Sequence, residues 1–245
     1  MSHEFFVGYL PMPEGIKKRT RRVAVGILLV AVCIAAIVGV SASGYAHSIF
    51  EFGEFRTFEG TILDKPYPLL LVERPGETNS ANAFSTYLLV EPFKHGADMR
   101  VMGLAGKRVR LQGELIYRDE HTMLELKPGS MVVLPEPVDR HVPVVQDLGP
   151  LTLSGEIVDS KCYLGVMNPG EGKVHRDCAT RCISGGVPVA FVLNSKDQSG
   201  SVYFLQMSGG GRLPPGIAQH VGEPITLSGE ALMIGDQRVL MLKGN

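Results

Sequence analysis

The pattern of apolar and polar positions divides the chain into one long apolar run and a series of short alternating segments. The run from Val23 to Val40 contains no charged residue and no proline. As a helix with a rise of ~1.5 Å per residue it would measure about 27 Å, enough to cross the apolar core of a bilayer. From Arg56 onward, short alternating segments are separated by Gly and Pro, which is typical of half-buried strands. The sequence therefore predicts a transmembrane helix at 23–42 and a mainly β region after it.

The charges around the apolar run predict its orientation. Five basic residues lie between Lys17 and Arg22, and no Lys or Arg follows the run before Arg56. The positive-inside rule then places the N-terminus in the cytoplasm and the β region outside it. A cleaved signal peptide is the alternative, but the run exceeds the ~7–15 residues of a typical apolar signal region. We expect a single-pass protein of the bacterial inner membrane, with a cytoplasmic leader at 1–22 and periplasmic C-terminal domains.

Two distant segments of the β region resemble each other. The stretch Gly106 to Leu126 aligns without gaps with Gly222 to Leu242, and each contains a Gly-Glu pair followed by alternating apolar residues. This pattern predicts the same hairpin at the end of each half of the β region.

The two halves also begin alike. The stretch from Arg56 to Asp64 resembles Leu151 to Asp159, with Gly60 matching Gly155. A glycine inside a strand often marks a bulge or a sharp bend, as small barrels require. We predict two tandem small β-barrels that resemble the OB-fold family in strand layout, although an SH3-like barrel fits nearly as well. The predicted boundaries are 53–135 for the first barrel, 136–149 for a Pro-rich linker, and 150–245 for the second barrel, with a helical insertion at 161–186.

The predicted insertion contains four residues that suit a metal ion. A short helix ending at Gly185 would place His175, Cys178 and Cys182 at positions i, i+3 and i+7, within about 60° of one another around its axis. Cys162, at the end of the preceding strand, could complete the set. A site of three cysteines and one histidine suits tetrahedral zinc, and thiolate-rich sites also suit copper(I) or an iron–sulfur centre.

The predicted compartment favours a different use of the same cysteines. Free thiols outside the cytoplasm tend to form disulfides. The two candidate bridges are Cys162 with Cys178 and Cys162 with Cys182, because two cysteines one turn apart in a helix do not suit disulfide geometry. The remaining cysteine, beside His175, would be a reactive thiol. Metal binding, a disulfide and a reactive thiol therefore stay open as alternatives.

Charge and motifs exclude some functions. The chain has 24 basic and 25 acidic residues, which leaves no positive surplus for binding nucleic acid. The sequence shows no recognisable Ser-His-acid or paired-carboxylate arrangement, so we predict no catalytic activity of its own. Asp159 and Asp177 are candidates to orient the imidazole of His175. The other histidines of the β region are expected to be exposed in loops: His95, His121, His141 and His220.

The cysteine-rich segment resembles a motif of uncharacterised bacterial proteins that are exported or anchored at the membrane. The motif reads Cys-Tyr-Leu, then His-x-x-Cys-Ala-x-x-Cys, then Gly-Gly-x-Pro, and the match covers Cys162, Tyr163, Leu164, His175, Cys178, Ala179, Cys182, Gly185, Gly186 and Pro188. The resemblance implies a companion of respiratory or other electron-transfer proteins rather than an enzyme.

Together these features predict an extracytoplasmic accessory subunit of a redox or respiratory membrane complex. Residues 1–42 would contact other integral membrane subunits, and the Cys/His cluster would bind a metal or stabilise a docking surface. The alternatives are a periplasmic thiol-redox enzyme or metallochaperone, and a structural module whose loop is held by a disulfide.

Overall fold

The computed structural model divides the chain into two units, Met1–Ala46 and His47–Asn245. The residues that it describes are 8, 10–43, 48–75, 83–135, 145–194, 201–208 and 213–243. The structure does not describe residues 1–7 and 9 of the predicted leader. It also does not describe residues 136–144 of the predicted linker, which include His141.

The first unit contains one long helix, α1 (Glu14–Ser43). The predicted apolar run is helical, but the helix begins at Glu14, inside the predicted leader, rather than at residue 23. Glu14 suits the first turn because a carboxylate interacts favourably with the helix N-terminus. The part of α1 from Glu14 to Ser41 contains a window of mean hydropathy 3.1, which makes it long and apolar enough to cross a membrane. A signal sequence near an N-terminus would have the same property.

The second unit begins with an eight-stranded sheet. Its elements are β1 (Ser48–Phe50), β2 (Arg56–Leu63), β3 (Leu69–Glu73), β4 (Phe84–Glu91), β5 (His95–Gly96), the short helix α2 (Asp98–Val101), β6 (Arg108–Arg118), β7 (His121–Leu126) and β8 (Val132–Val133). Six strands follow the order β1-β6-β2-β3-β4-β5, while β7 pairs with both β4 and β6, and β8 pairs with β6. The hairpin of β6 and β7 lies where the repeat predicts it.

The rest of the second unit is a closed five-stranded barrel. Its elements are β9 (Val145–Asp159), α3 (Arg176–Ser184), β10 (Val189–Leu193), β11 (Val202–Met207), α4 (Pro215–Ala218), β12 (Pro224–Ile234) and β13 (Gln237–Leu242). The strands follow the order β10-β11-β13-β12-β9 around the barrel. A single wide helical turn, Cys162–Val166, comes soon after β9. Strand β9 begins inside the stretch predicted as linker because its pairing with β12 extends to Val145 opposite Ile234.

Glycines predicted to bend the strands permit close backbone contact. A Cβ atom on Gly60 would lie 2.3 Å from the carbonyl oxygen of Leu71, and one on Gly155 would lie 2.3 Å from that of Val192. Both distances are too short for any side chain, so the neighbouring strand requires glycine at each position. The glycines of the two repeated hairpins show the same relationship: Gly113 to the Glu125 oxygen at 2.8 Å and Gly229 to the Met241 oxygen at 2.5 Å.

A third apolar cluster joins the eight-stranded sheet to the barrel. Each has its own buried core, and between them Ile116 and Met123 of the sheet pack in one cluster with Tyr163 and Phe204 of the barrel. Burying a large apolar side chain contributes about 1.5–3 kcal/mol. Cys162 and Cys182 belong to this same cluster, so the candidate site lies where the sheet and the barrel meet.

Candidate metal centre

Three cysteine thiols lie together at this junction. Cys162 begins the wide turn after β9, whereas Cys178 and Cys182 lie one turn apart on α3. Their Sγ atoms are all within 4.8 Å of one another. Cys162 and Cys182 are 4% and 1% exposed, Cys178 is half-buried, and all three are free thiols. Sulfur ligands at ~2.3 Å from one metal ion are themselves separated by roughly 4 Å, so this spacing fits a shared ion.

The local sequence explains why α3 forms and where it ends. Asp177 lies in its first turn and Arg181 in its last, the arrangement that the helix dipole favours. Gly185 occupies the C-cap position, and Gly186 has a φ of +94°, a conformation that favours glycine. The helix buries Ala179 and Cys182 against the barrel, which leaves Cys178 nearer to solvent.

His175 lies just before α3 and contacts a buried carboxylate. Its Nε2 atom is 3.0 Å from Oδ2 of Asp159, and the backbone N–H of Cys162 donates to Oδ1 of the same carboxylate at 2.8 Å. The potential ligand atoms of Asp159, Cys162 and His175 form a second group within 4.8 Å of one another. Cys162 therefore belongs to both groups, and the structure brings His175 beside the thiol cluster through Cys162. Asp159 holds the imidazole, whereas the other candidate for this role, Asp177, is exposed.

Lys94 belongs to the site and was missed by the sequence analysis. It lies between β4 and β5 of the eight-stranded sheet. Its Nζ atom donates to Sγ of Cys178 at 2.7 Å and to Sγ of Cys182 at 3.6 Å. This contact places a positively charged group beside both sulfurs. No motif links Lys94 to the cysteine-rich segment, because the contact depends on how the sheet and the barrel pack.

A second lysine holds the backbone next to Lys94. The buried amine of Lys161 donates to the carbonyl oxygens of Glu91 at 2.9 Å and Phe93 at 2.6 Å, and it forms an ion pair with the carboxylate of Glu125. Beyond Lys94, the N–H of Gly96 donates to the carbonyl oxygen of Gly185 at 3.0 Å. The backbone is therefore fixed on both sides of Lys94.

The thiols differ in acidity because they interact with one another. A hydrogen bond from the thiol of Cys162 and the positive charge of Lys94 lower the pKa of Cys182 to about 7, against the opposing effect of burial. The pKa of Cys162 is raised, first because it donates that hydrogen bond and second because it is buried. Cys182 is therefore the more acidic thiol of this pair, with Cys162 as its hydrogen-bond donor.

One of the remaining histidines differs from the prediction. His121 is only 2% exposed at the start of β7, where its ring meets that of Phe204 edge to face at 5.7 Å between centroids. The expectation of exposure was wrong because the barrel covers this end of the strand. His95 is exposed as expected, and the side chain of His220 is 41% exposed.

No family model, curated protein or solved structure matches this chain.

Proposed function

We propose that the chain is a membrane-anchored protein in which Cys162, Cys178 and Cys182 bind one soft metal ion. The observation that carries this proposal is the mutual approach of the three Sγ atoms within 4.8 Å. Three thiolates suit trigonal copper(I), and zinc would need a fourth ligand, which the imidazole of His175 beside Cys162 could supply. An iron–sulfur cluster held by the same thiolates is a third occupant of this class.

The charges around the thiols support a bound cation. Three thiolates around a divalent ion would carry one net negative charge, and an uncompensated charge at a buried site is costly. The ammonium group of Lys94, 2.7 Å from Cys178 and 3.6 Å from Cys182, offsets that charge. The carboxylate of Asp159 would hold the imidazole of His175 in one orientation, as carboxylates commonly do for histidine ligands.

We also propose that both halves of the second unit are OB-like barrels. The pairings β2 with β3, β3 with β4, β4 with β7, β7 with β6, and β6 with β2 connect five strands in a ring. The closed barrel has the equivalent order, and the pairing of β4 with β7 is parallel, like that of β11 with β13. The wide turn after β9 together with α3 would then be a helical insertion specific to the second barrel. The balanced charge gives neither barrel the basic surface of a nucleic-acid-binding OB-fold.

The anchor and the thiol site together suggest an accessory subunit of a redox or respiratory membrane complex. We infer an inner-membrane location with the barrels in the periplasm, where residues 1–42 contact other integral membrane subunits. Supporting this are the apolar helix α1 and the basic residues at its N-terminal end. Solubilisation in a mild detergent should recover the chain with other membrane proteins, and replacing residues 1–42 by an unrelated single-pass helix should release them. Recovery of a lone monomer would count against this role.

Metal content tests the site itself. We expect the full-length protein in detergent to contain about one equivalent of zinc or copper per chain, or about two or four equivalents of iron with labile sulfide. Cys182→Ser should lower this content at least about tenfold, since thiolate loss removes one ligand and alters the remaining site. Cys33→Ser is the matched control, because Cys33 lies within α1. A metal-free wild-type protein, or full occupancy in Cys182→Ser, would contradict the proposal.

A thiol-redox role is the second candidate, and two observations favour it. The amine of Lys94 contacts the half-buried Cys178, and the pKa of Cys182 is lowered to about 7. A reactive thiolate would be alkylated rapidly at neutral pH, whereas a metal-bound cluster would resist alkylation until a chelator removes the ion. The rate of alkylation with and without chelator therefore distinguishes the two functions.

A further inference from the structure

The contact between Lys94 and Cys178 is closer than an ordinary hydrogen bond. Their Nζ and Sγ atoms are 2.7 Å apart. Charge-assisted N–H···O bonds have this length, about 2.7–2.9 Å, but sulfur is a larger atom than oxygen and its hydrogen bonds are correspondingly longer. The separation corresponds to that of a nitrogen and a sulfur joined through one bridging atom.

The backbone on each side of this contact is held in place. A Cβ atom on Gly185 would lie 1.8 Å from the carbonyl oxygen of Lys94, so the chain around Lys94 rests directly on the end of α3. Lys161 binds the carbonyl oxygen of Phe93 at 2.6 Å, one residue before Lys94. The amine and the thiol are thus positioned before any reaction, which removes much of the entropic cost of joining them.

Cys178 is also the thiol of the cluster that an oxidant reaches most readily. It is half-buried, whereas Cys162 and Cys182 are 4% and 1% exposed. Susceptibility of cysteine to oxidation rises with exposure, so Cys178 is the thiol of the three that a dissolved oxidant contacts first. Lys94 is itself partly exposed, so a small oxidant can reach both reacting groups.

We propose that Lys94 and Cys178 are joined under oxidising conditions by a covalent nitrogen–oxygen–sulfur bridge. The oxidant is a hydroperoxide, such as hydrogen peroxide. The proton shared by the Lys94 nitrogen and the Cys178 sulfur and one further hydrogen of the Lys94 nitrogen are lost, and S–O and O–N bonds form. Sulfur and nitrogen each lose two electrons, two hydrogen peroxide molecules accept the four electrons, one oxygen atom stays in the bridge, and three leave as water. A thiol reductant reverses the reaction by returning four electrons.

This bridge would act as a redox switch on the junction. It would connect the loop between β4 and β5 of the sheet to α3 of the barrel, and it would occupy the sulfur of Cys178. Its formation needs only Lys94, Cys178 and the oxidant, and not the metal proposed above. Once it has formed, the metal site would lack one of its three thiolate ligands.

Intact mass spectrometry of the full-length protein in detergent tests the bridge. After reduction, removal of the reductant and exposure to hydrogen peroxide, we expect a species about 14 Da heavier than the reduced chain, reversed by dithiothreitol. Proteolysis should locate the change in a cross-linked pair of peptides containing Lys94 and Cys178. Lys94→Arg keeps the positive charge but should lose this species, while Lys243→Arg, at an exposed lysine, should retain it.

Other mass changes would overturn the proposal. A wild-type protein that shows only a loss of about 2 Da would contain a disulfide, and gains of only about 16 or 32 Da would indicate sulfenic or sulfinic acid. Persistence of the 14 Da species in Lys94→Arg would contradict the assigned lysine. Metal content, measured on the same preparation before oxidation, reports separately on the metal site, so failure of one proposal is distinguishable from failure of the other.

Discussion

The Oδ2 atom of Asp159 lies 3.0 Å from Nε2 of His175, and the two side chains are 0% and 4% exposed. This contact joins the end of β9 to the residue that precedes α3. Because Cys162 follows the strand while Cys178 and Cys182 lie on the helix, the pair fixes the positions from which the three thiols converge.

Asp159→Ala should destabilise the protein. The substitution leaves a buried ring nitrogen of His175 and the backbone N–H of Cys162 without their carboxylate partner, and each unsatisfied buried group costs about 1–3 kcal/mol. Urea unfolding measures the loss in the free energy of unfolding. Asp177→Ala is the control: this aspartate is exposed, so its removal should change stability by no more than about 0.5 kcal/mol. Equal effects of the two substitutions would show that the buried pair is not the stabilising contact.

Lys161→Met should be more costly. The amine is buried with two backbone carbonyls and the Glu125 carboxylate, and breaking a buried ion pair by removing one partner typically costs about 3–5 kcal/mol. Lys243→Met removes an exposed pair with Glu230, 3.3 Å long, which should contribute at most about 1 kcal/mol. Chemical denaturation of both variants compares the two costs, and a loss below about 1 kcal/mol in Lys161→Met would contradict the structure.

Gly185→Ala should disturb the junction and the thiol site together. The added methyl group would lie 1.8 Å from the carbonyl oxygen of Lys94, so α3 or the loop must move. We expect a loss of about 2 kcal/mol or more, in the range of strongly destabilising single substitutions, and weaker metal binding. Gly216→Ala is the matched control, since the methyl group added there would point into open space. Thermal melting and metal titration of the two variants provide the comparison. Unchanged metal affinity in Gly185→Ala would show that packing at the junction does not position the metal ligands.

His121 should make stability depend on pH. Burial lowers its pKa below the usual value of 6.5, and the neighbouring carboxylates of Glu120 and Asp236 oppose this only in part, while Arg238 adds to it. Between the folded pKa and 6.5 the unfolded chain binds the proton more readily than the folded one. The contribution of His121 is therefore fully present above pH 6.5 and is lost as pH falls through the folded pKa, by at most about 1.4 kcal/mol per pH unit.

A variant isolates this contribution from other titrating groups. His121→Gln stays neutral at every pH, so the difference in unfolding free energy between wild type and variant should decline from pH 7.5 to pH 5. Urea unfolding at several pH values measures it. A difference that stays constant, or that grows on acidification, would show that protonation of His121 is not the cause of the pH dependence.

The sequence predicted the parts of the fold that depend on local pattern. The apolar run gave the helix, and the repeated Gly-Glu segments gave the hairpins β6–β7 and β12–β13, because alternation identifies strands and adjacent strands joined by a short turn pair with each other. Gly60 and Gly155 were predicted to mark bends; at both positions the structure shows instead a neighbouring backbone that passes too close for a side chain.

The features that the sequence did not predict come from contacts between distant segments. Lys94 reaches the thiols only because the sheet and the barrel pack against each other, and no spacing within the cysteine-rich segment records that contact. His121 is buried for the same reason. The predicted linker at 136–149 includes the first residues of β9, because pairing with β12 carries the strand back through Gly149 to Val145. Periodicity along one segment contains no information about these partners.

X-ray absorption at the edge of the bound metal tests the central claim most directly, because it counts the sulfur atoms around the ion. For the full-length protein we expect three sulfur neighbours at about 2.3 Å. Cys178→Ser should reduce this number to two, while Cys33→Ser leaves it at three. A metal surrounded only by nitrogen and oxygen, or a sulfur count that Cys178→Ser does not change, would contradict a metal centre built from Cys162, Cys178 and Cys182.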